Sequence, residues 1–229
     1  MLKLMKLELR KHKLGWYWKG VLIANLLIVV FMGLLPSLDD ELEVAFASYE
    51  EVFLAMGTMV RVVYVIFASV LISSFIIQEY NNKTISVLFT YPVLRKKLIA
   101  AKLLLIMAIT LVTILISNVM VVASFLALNA FMDIMQGTLS TELMVHQTVN
   151  MLIQGLSAVG ISMVPLYFGM RKKSAAATII SSVLLIGIIS SNNGGFSIGQ
   201  FIAVPITVGL IGLAIAYLSF KNVDNTDIA

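Results

Sequence analysis

The sequence predicts an all-α membrane protein: six transmembrane helices, an N-terminal interfacial amphipathic helix, a cytoplasmic helix between spans two and three, and both termini in the cytoplasm. Three observations predict it. Only 12% of the 229 residues are charged and 60% are hydrophobic, against about 25% and 45–50% in a soluble domain. So little charge leaves too little polar surface to cover a globule in water, which excludes a soluble enzyme. Six apolar runs follow one another, at 17–35, 53–77, 98–128, 143–170, 175–189 and 201–220. And 15 of the 16 Lys and Arg residues fall on one side of those runs.

Taken in order, the segment 1–16 mixes cations with apolar residues. Leu2, Met5, Leu9, His12 and Trp16 recur at helical spacing, although Leu4 and Leu7 fall off that face. A basic amphipathic helix ending in Trp16, Tyr17 and Trp18 suits the headgroup layer, where aromatic rings anchor. It reads either as a surface helix drawn to anionic lipid or as an elbow touching a cytoplasmic partner. The first apolar run follows a long basic lead-in and ends in Pro36-Ser37-Leu38-Asp39-Asp40, which is no small-residue cleavage site. It is expected to remain a span. In lipid each run must be helical, because an unpaired backbone group costs several kcal/mol. All but the fifth reach the ~20 residues a span requires; the fifth has about 15 and extends through Ser190 and Ser191.

Charge placement orients the spans. Lys3, Lys6, Arg10, Lys11, Lys13 and Lys19 precede or open span one, and Lys83, Arg95, Lys96, Lys97 and Lys102 follow span two. Arg171, Lys172 and Lys173 follow span four, and Lys221 follows span six. The opposite loops carry Asp39, Asp40, Glu41, Glu43, Glu50, Glu51, Asp133 and Glu142 instead. Cations stay cytoplasmic during insertion, so the arrangement places both ends of the chain inside the plasma membrane. The remaining cation, Arg61, lies inside span two, where a charge costs about 2.5–3.5 kcal/mol on insertion scales. It either reaches outward toward Glu50 or Glu51 or faces a cavity or a partner. Ser69 and Ser73 share its helical face, with Thr58 above them.

The loop between spans two and three, 79–97, carries the most information. Asn81 or Asn82 can cap a short helix, Ile85, Leu88 and Phe89 then share one side, and Pro92 ends it before the cations. The run Glu79, Thr84, Pro92, Arg95 and Lys102 resembles the cytoplasmic signature of type-2 ABC-transporter permeases, with Lys83 standing where Gly is common. In that family a Glu ends the second span, a Gly/Asn/Lys-Thr pair opens a coupling helix, and Pro-x-x-Arg precedes a span-three Lys. The six-span layout and the basic N-terminal helix match as well, so the resemblance covers the whole chain, 1–229, as a single permease domain. The very short link Asn192-Asn193-Gly194-Gly195 departs from relatives that carry re-entrant outer helices there.

The resemblance implies that Lys83, Thr84, Ile85, Leu88 and Phe89 form a coupling helix that plugs into a separate ATP-binding subunit. Glu79, Pro92 and Arg95 would frame it, with Glu79 and Arg95 braced against each other or against the N-terminal helix. It implies a second permease copy, identical or similar, in a lipid bilayer, and no nucleic acid. ATP and magnesium are expected in the partner subunit, with no cofactor in this chain. The residues themselves agree on the negatives. No G-x-x-x-x-G-K-[ST] cradle for phosphates is present, so the chain is not expected to be an enzyme by itself. With two histidines and no cysteine, a multi-His or Cys-ligated metal site is not expected. Glu50-Glu51 and His146-x-x-x-Asn150 hint at an intramembrane protease, but Ala55 stands where its Arg would be. No span holds a mid-membrane carboxylate, so the relay of an ion-coupled transporter is missing.

Polar stripes mark where cargo could pass. Thr113, Ser117 and Asn118 lie together in span three, and His146, Asn150 and Gln154 follow at i, i+4, i+8 in span four. With Arg61, Ser69 and Ser73 they form a candidate translocation path; the alternative is inter-helix hydrogen bonding. Gly155 and Gly160 allow close helix contact, within the chain or at a dimer seam. Thirteen Met residues among many Leu, Ile and Val make any cleft apolar and adaptable, which suits hydrophobic or amphipathic cargo. Family analogy extends this to antimicrobial or toxin peptides and to export. The rival is a non-transporting membrane scaffold or sensory subunit that anchors a cytoplasmic partner.

Overall fold

The computed structural model describes residues 2–11, 15–34, 48–81, 95–132, 135, 140–193, 196–197 and 203–221. Helix α1 spans Leu2–Lys11 and α2 spans Gly15–Leu34. Helix α3 runs through Tyr49–Ile72, a π-helical stretch Ser73–Ile77 and a last turn Gln78–Asn81. Helix α4 is Arg95–Met132, and at 38 residues it is about 57 Å long. It therefore overshoots a hydrocarbon core of about 30 Å. Helices α5 (Thr141–Ile161) and α6 (Val164–Lys172) follow, then α7 (Ala175–Ser190) and α8 (Ala203–Lys221). Between α7 and α8, Asn192–Asn193 and Phe196–Ser197 pair as a two-residue antiparallel ladder.

Local chemistry explains these boundaries. Ser48 caps α3 by accepting from the Glu51 amide at 3.3 Å, and Ser140 caps α5 by accepting from the Leu143 amide at 3.1 Å. The run expected as one span at 143–170 is divided at 162–163. Pro165, in the first turn of α6, has no amide to bond back to Ile161, and the Met163 amide bonds to Gly160 O instead. Helix α6 ends at Lys173 in the left-handed conformation (φ 47°), and Ser174 at once caps α7. Of the 1–16 segment expected as one interfacial helix, Leu2–Lys11 is helical, residues 12–14 lie outside the described residues, and Trp16 belongs to α2.

Among the described residues four helices, Gly15–Leu34, Tyr49–Ile77, Lys97–Phe131 and Thr141–Lys172, are long and apolar enough to cross a membrane. Ala175–Ser190 and Ala203–Ser219 are shorter apolar helices. The outward face of α2 bears Leu22, Ile23, Leu26, Leu27, Val30 and Phe31, an apolar patch that water would not tolerate and lipid solvates. Two cores lie along the bundle. One gathers Val60, Tyr64, Ile114, Val121 and Phe125. The other, at the end where α1 docks, gathers Ile72, Phe75, Ile99 and Ile106, with Met5 and Leu9 of α1 packed on it. Leu7 points away and is 63% exposed, as its place off the apolar face predicts.

Candidate functional site

Lys102, one residue past the second turn of α4, is 1% exposed. An ammonium so placed must find acceptors or give up its proton. Its Nζ donates to Glu8 Oε2 of α1 at 2.8 Å and to Phe75 O at 3.3 Å, and stands 2.9 Å from Glu79 Oε2 at the base of α3. Glu8 and Glu79 are themselves buried. Three helices thus converge on one cation, with two carboxylates sharing one ammonium. Phe75 belongs to the π-helical stretch, and an inserted side chain is one of the recognised ways such a ladder is interrupted. Close by, Tyr17 of α2 donates from its hydroxyl to Ser74 Oγ at 3.1 Å, and its ring meets Phe67 and Phe75 at 6.1 and 6.4 Å. The bases of α1, α2, α3 and α4 are therefore pinned at one end of the bundle.

Glu79 and Lys102 come from the sequence signature; Glu8 does not. Its signal was its being the sole carboxylate among five cations of the N-terminal segment, beside the apolar Leu9. Arg95 opens α4. Lys83, Thr84, Ile85, Leu88, Phe89 and Pro92 lie outside the described residues.

The polar residues of the spans are placed as follows. Arg61 does not pair with Glu50 or Glu51. It donates to Gln154 Oε1 of α5, to Thr58 Oγ1 at 2.8 Å and to Gly57 O at 3.3 Å, all neutral acceptors. Ser117 of α4 donates to the Tyr64 hydroxyl at 2.7 Å, and Tyr64 donates to Asn25 Oδ1 of α2 at 2.9 Å. Ser182 of α7 donates to Ser69 Oγ at 2.9 Å. Thr113 is buried and turns its hydroxyl onto the Ile109 and Thr110 carbonyls of its own helix. Ser73 is buried in the π stretch. Asn118 is 8% exposed, and its Oδ1 has no hydrogen-bond partner among the described residues. His146 and Asn150 are neighbours on α5, 3.4 Å apart.

The structure thus joins Arg61 to Gln154, Ser117 to Tyr64 and Ser69 to Ser182. Sequence reasoning missed Asn25, Tyr64 and Ser182, although Asn25 stands out as a lone amide in the first apolar run. Among the described residues no three His, Cys, Asp or Glu side chains are grouped to hold a metal ion.

Helices α5 and α8 meet in another way, through glycines. A Cβ on Gly209 of α8 would lie 2.9 Å from Ser157 O of α5, and one on Gly160 or Gly212 would overlap the facing backbone of Gly209 or Gly160. Only glycine permits so close a crossing. Gly160 is used here within the chain.

Comparison with known proteins agrees with this architecture. A protein-family model described as "ABC-2 family transporter protein" matches residues 4–189. The chain is 44% identical over 228 residues, 99% of its length, to an uncharacterized protein, YcbO, of Bacillus subtilis (strain 168), which is matched over 100% of its own length. No solved structure matches. With several helices able to cross a membrane, and a family match over most of its length, the chain belongs to the ABC-2 family of transporter permeases, multi-pass membrane subunits that are not themselves ATPases.

Proposed function

We propose that this permease is the membrane subunit of an ATP-driven exporter in the plasma membrane. It crosses the bilayer six times with both termini in the cytoplasm and pairs with a second permease copy, identical or similar. The observation that carries the reading is the Glu8–Lys102–Glu79 cluster. It sits where α3 ends and α4 begins, at the two roots of the segment that carries Lys83, Thr84, Ile85, Leu88, Phe89, Pro92 and Arg95. A short amphipathic rod held at both roots by buried ion pairs can pass a push from below to both spans together. A separate ATP-binding subunit, which holds ATP and magnesium, supplies that push when two copies close on nucleotide.

Rocking of helix bundles about a fixed site is a general route to alternating access. In this reading α3 and α4 tilt as a pair, with α1 following through Glu8, and the path between two permeases opens on the other side. Sparse polar groups, among them Arg61, Asn118, His146 and Asn150, in adaptable Met-rich apolar walls suit hydrophobic or amphipathic cargo. Antimicrobial or toxin peptides are the cargo class we favour.

Affinity purification of the tagged chain from its native membrane tests this. The expected result is co-purification of an ATP-binding subunit whose hydrolysis rises when both are reconstituted. Replacing Leu88 and Phe89 by Asp should abolish that association while the chain still inserts. Association without any change in hydrolysis would favour a scaffold instead; unchanged association would remove the loop from the mechanism.

A further inference from the structure

At the far end of α3 from Glu79, the first turns of α3 and α5 stand side by side. They border an open cleft of about 700 Å³ whose wall includes Glu50, Glu142, Val145, His146, Gln147 and Val149. Two observations there have no use inside the chain. The first is charge. Glu50 and Glu142 are exposed, and among the described residues neither has a cationic partner within ion-pair distance. Nor do they serve as N-caps, a place taken by Ser48 and Ser140, which accept from the Glu51 and Leu143 amides. The helix dipole accounts for a carboxylate in each first turn. It does not account for the second observation, a buried amide between them.

Gln147 is 4% exposed, forms part of the cleft wall, and its side chain makes no hydrogen bond among the described residues. With no partner among the described residues, its amide opens onto the cleft, where a group that comes from outside can bond it. Val145 and Val149 add an aliphatic surface along the same helix. Carboxylates at the rim, a free amide in the wall and apolar flanks together describe a complement to an amphipathic, amine-bearing chain. The geometry points to this cleft as a receiving site for a cationic amphipathic peptide. Its amines meet Glu50 and Glu142, a backbone amide meets Gln147, and its aliphatic side chains lie on the valines. The inference rests on the export reading above and gives its cargo a charge and a landing place on the outer face.

The test uses the full chain in phosphatidylcholine nanodiscs, which carry no net charge. The probes are a fluorescent amphipathic Lys/Leu peptide and its Glu/Leu counterpart. The wild-type chain is expected to bind the Lys/Leu peptide and not the other. Glu50→Gln with Glu142→Gln should weaken binding by about tenfold, as expected for lost charge complementarity, and Gln147→Leu should weaken it severalfold. The pair Glu50→Asp and Glu142→Asp keeps the charge at exposed positions and should bind close to wild type, which separates charge from folding. Undiminished binding to the Gln pair, equal binding of the Glu/Leu peptide, or no binding to wild type would each overturn the site. A chain that recruits its ATPase but binds the peptide without Glu50 and Glu142 loses the cleft and keeps the exporter reading. One that binds through the cleft yet recruits no ATPase does the reverse.

Discussion

Two regions of this permease, the roots of α1 to α4 and the α5–α8 crossing, hold their helices together by different means. In α1 to α4 the contacts that join one helix to another include directional polar bonds: Lys102 to Glu8 and Glu79, Tyr17 to Ser74, and Ser117 to Tyr64 to Asn25. In α5 and α8 the helices touch backbone to backbone through Gly160, Gly209 and Gly212. A polar bond can be broken and remade at a shifted geometry; a backbone crossing without side chains has no such second arrangement. In the mechanism proposed above, the roots of α3 and α4 are the part that moves and the α5–α8 pair is the part that stays.

The largest effect is expected at Lys102. Lys102→Met removes the cation that two buried carboxylates share and should lower stability by about 3–5 kcal/mol, read as thermal unfolding of the detergent-solubilised chain. Adding Glu8→Gln and Glu79→Gln removes the stranded charges and should restore most of that stability. It should not restore stimulation of the partner ATPase, because the brace is still missing. If the triple variant regains stimulation, the cluster serves folding alone, and the contrast between the two regions fails.

Next comes the seam. Gly212→Ala places a methyl against the Gly160 backbone, where no flexible side chain can yield. It should cost about 1–3 kcal/mol or more and reduce the monodisperse fraction in size-exclusion chromatography. A cross-link between α5 and α8 sharpens the comparison, since it should leave transport unchanged, whereas one between α1 and α4 should block it.

The smallest effects belong to single hydrogen bonds between spans. Tyr64→Phe and Ser182→Ala should each cost about 0.6 kcal/mol, the range measured for such bonds in membranes. Tyr64→Phe should be the larger, since its hydroxyl serves both Asn25 and Ser117. A loss from Ser182→Ala much larger than that from Tyr64→Phe would mean that α7 is held to α3 by this bond more than by packing.

Much of this was legible residue by residue. The apolar runs mark the long helices because backbone polarity must be satisfied within each segment in lipid. Ser48, Ser140 and Ser174 act as caps by adjacency alone. Glu79 and Lys102 stood in a recognisable spacing, but their meeting with Glu8 did not. Glu8 and Lys102 are 94 positions apart, and the bond exists only because α1 lies across the base of α4. The reach of Arg61 shows the same limit. Periodicity placed it on a polar face and offered Glu50 or Glu51, about three turns away on its own helix, but the partner is Gln154 of a neighbouring helix.

Composition and charge placement by themselves determined the solvent of this chain and where its helices fall, because the transfer of side chains to lipid is a local property that depends on no neighbour. Tertiary structure alone decided which polar groups are spent on one another and which face outward. The reason is geometric: a hydrogen bond needs its atoms within about 3 Å, and only the crossing of packed helices sets separations on that scale. Glycines in α5 and α8 could be read from the sequence as permissive, and the fold chose the partner each one admits.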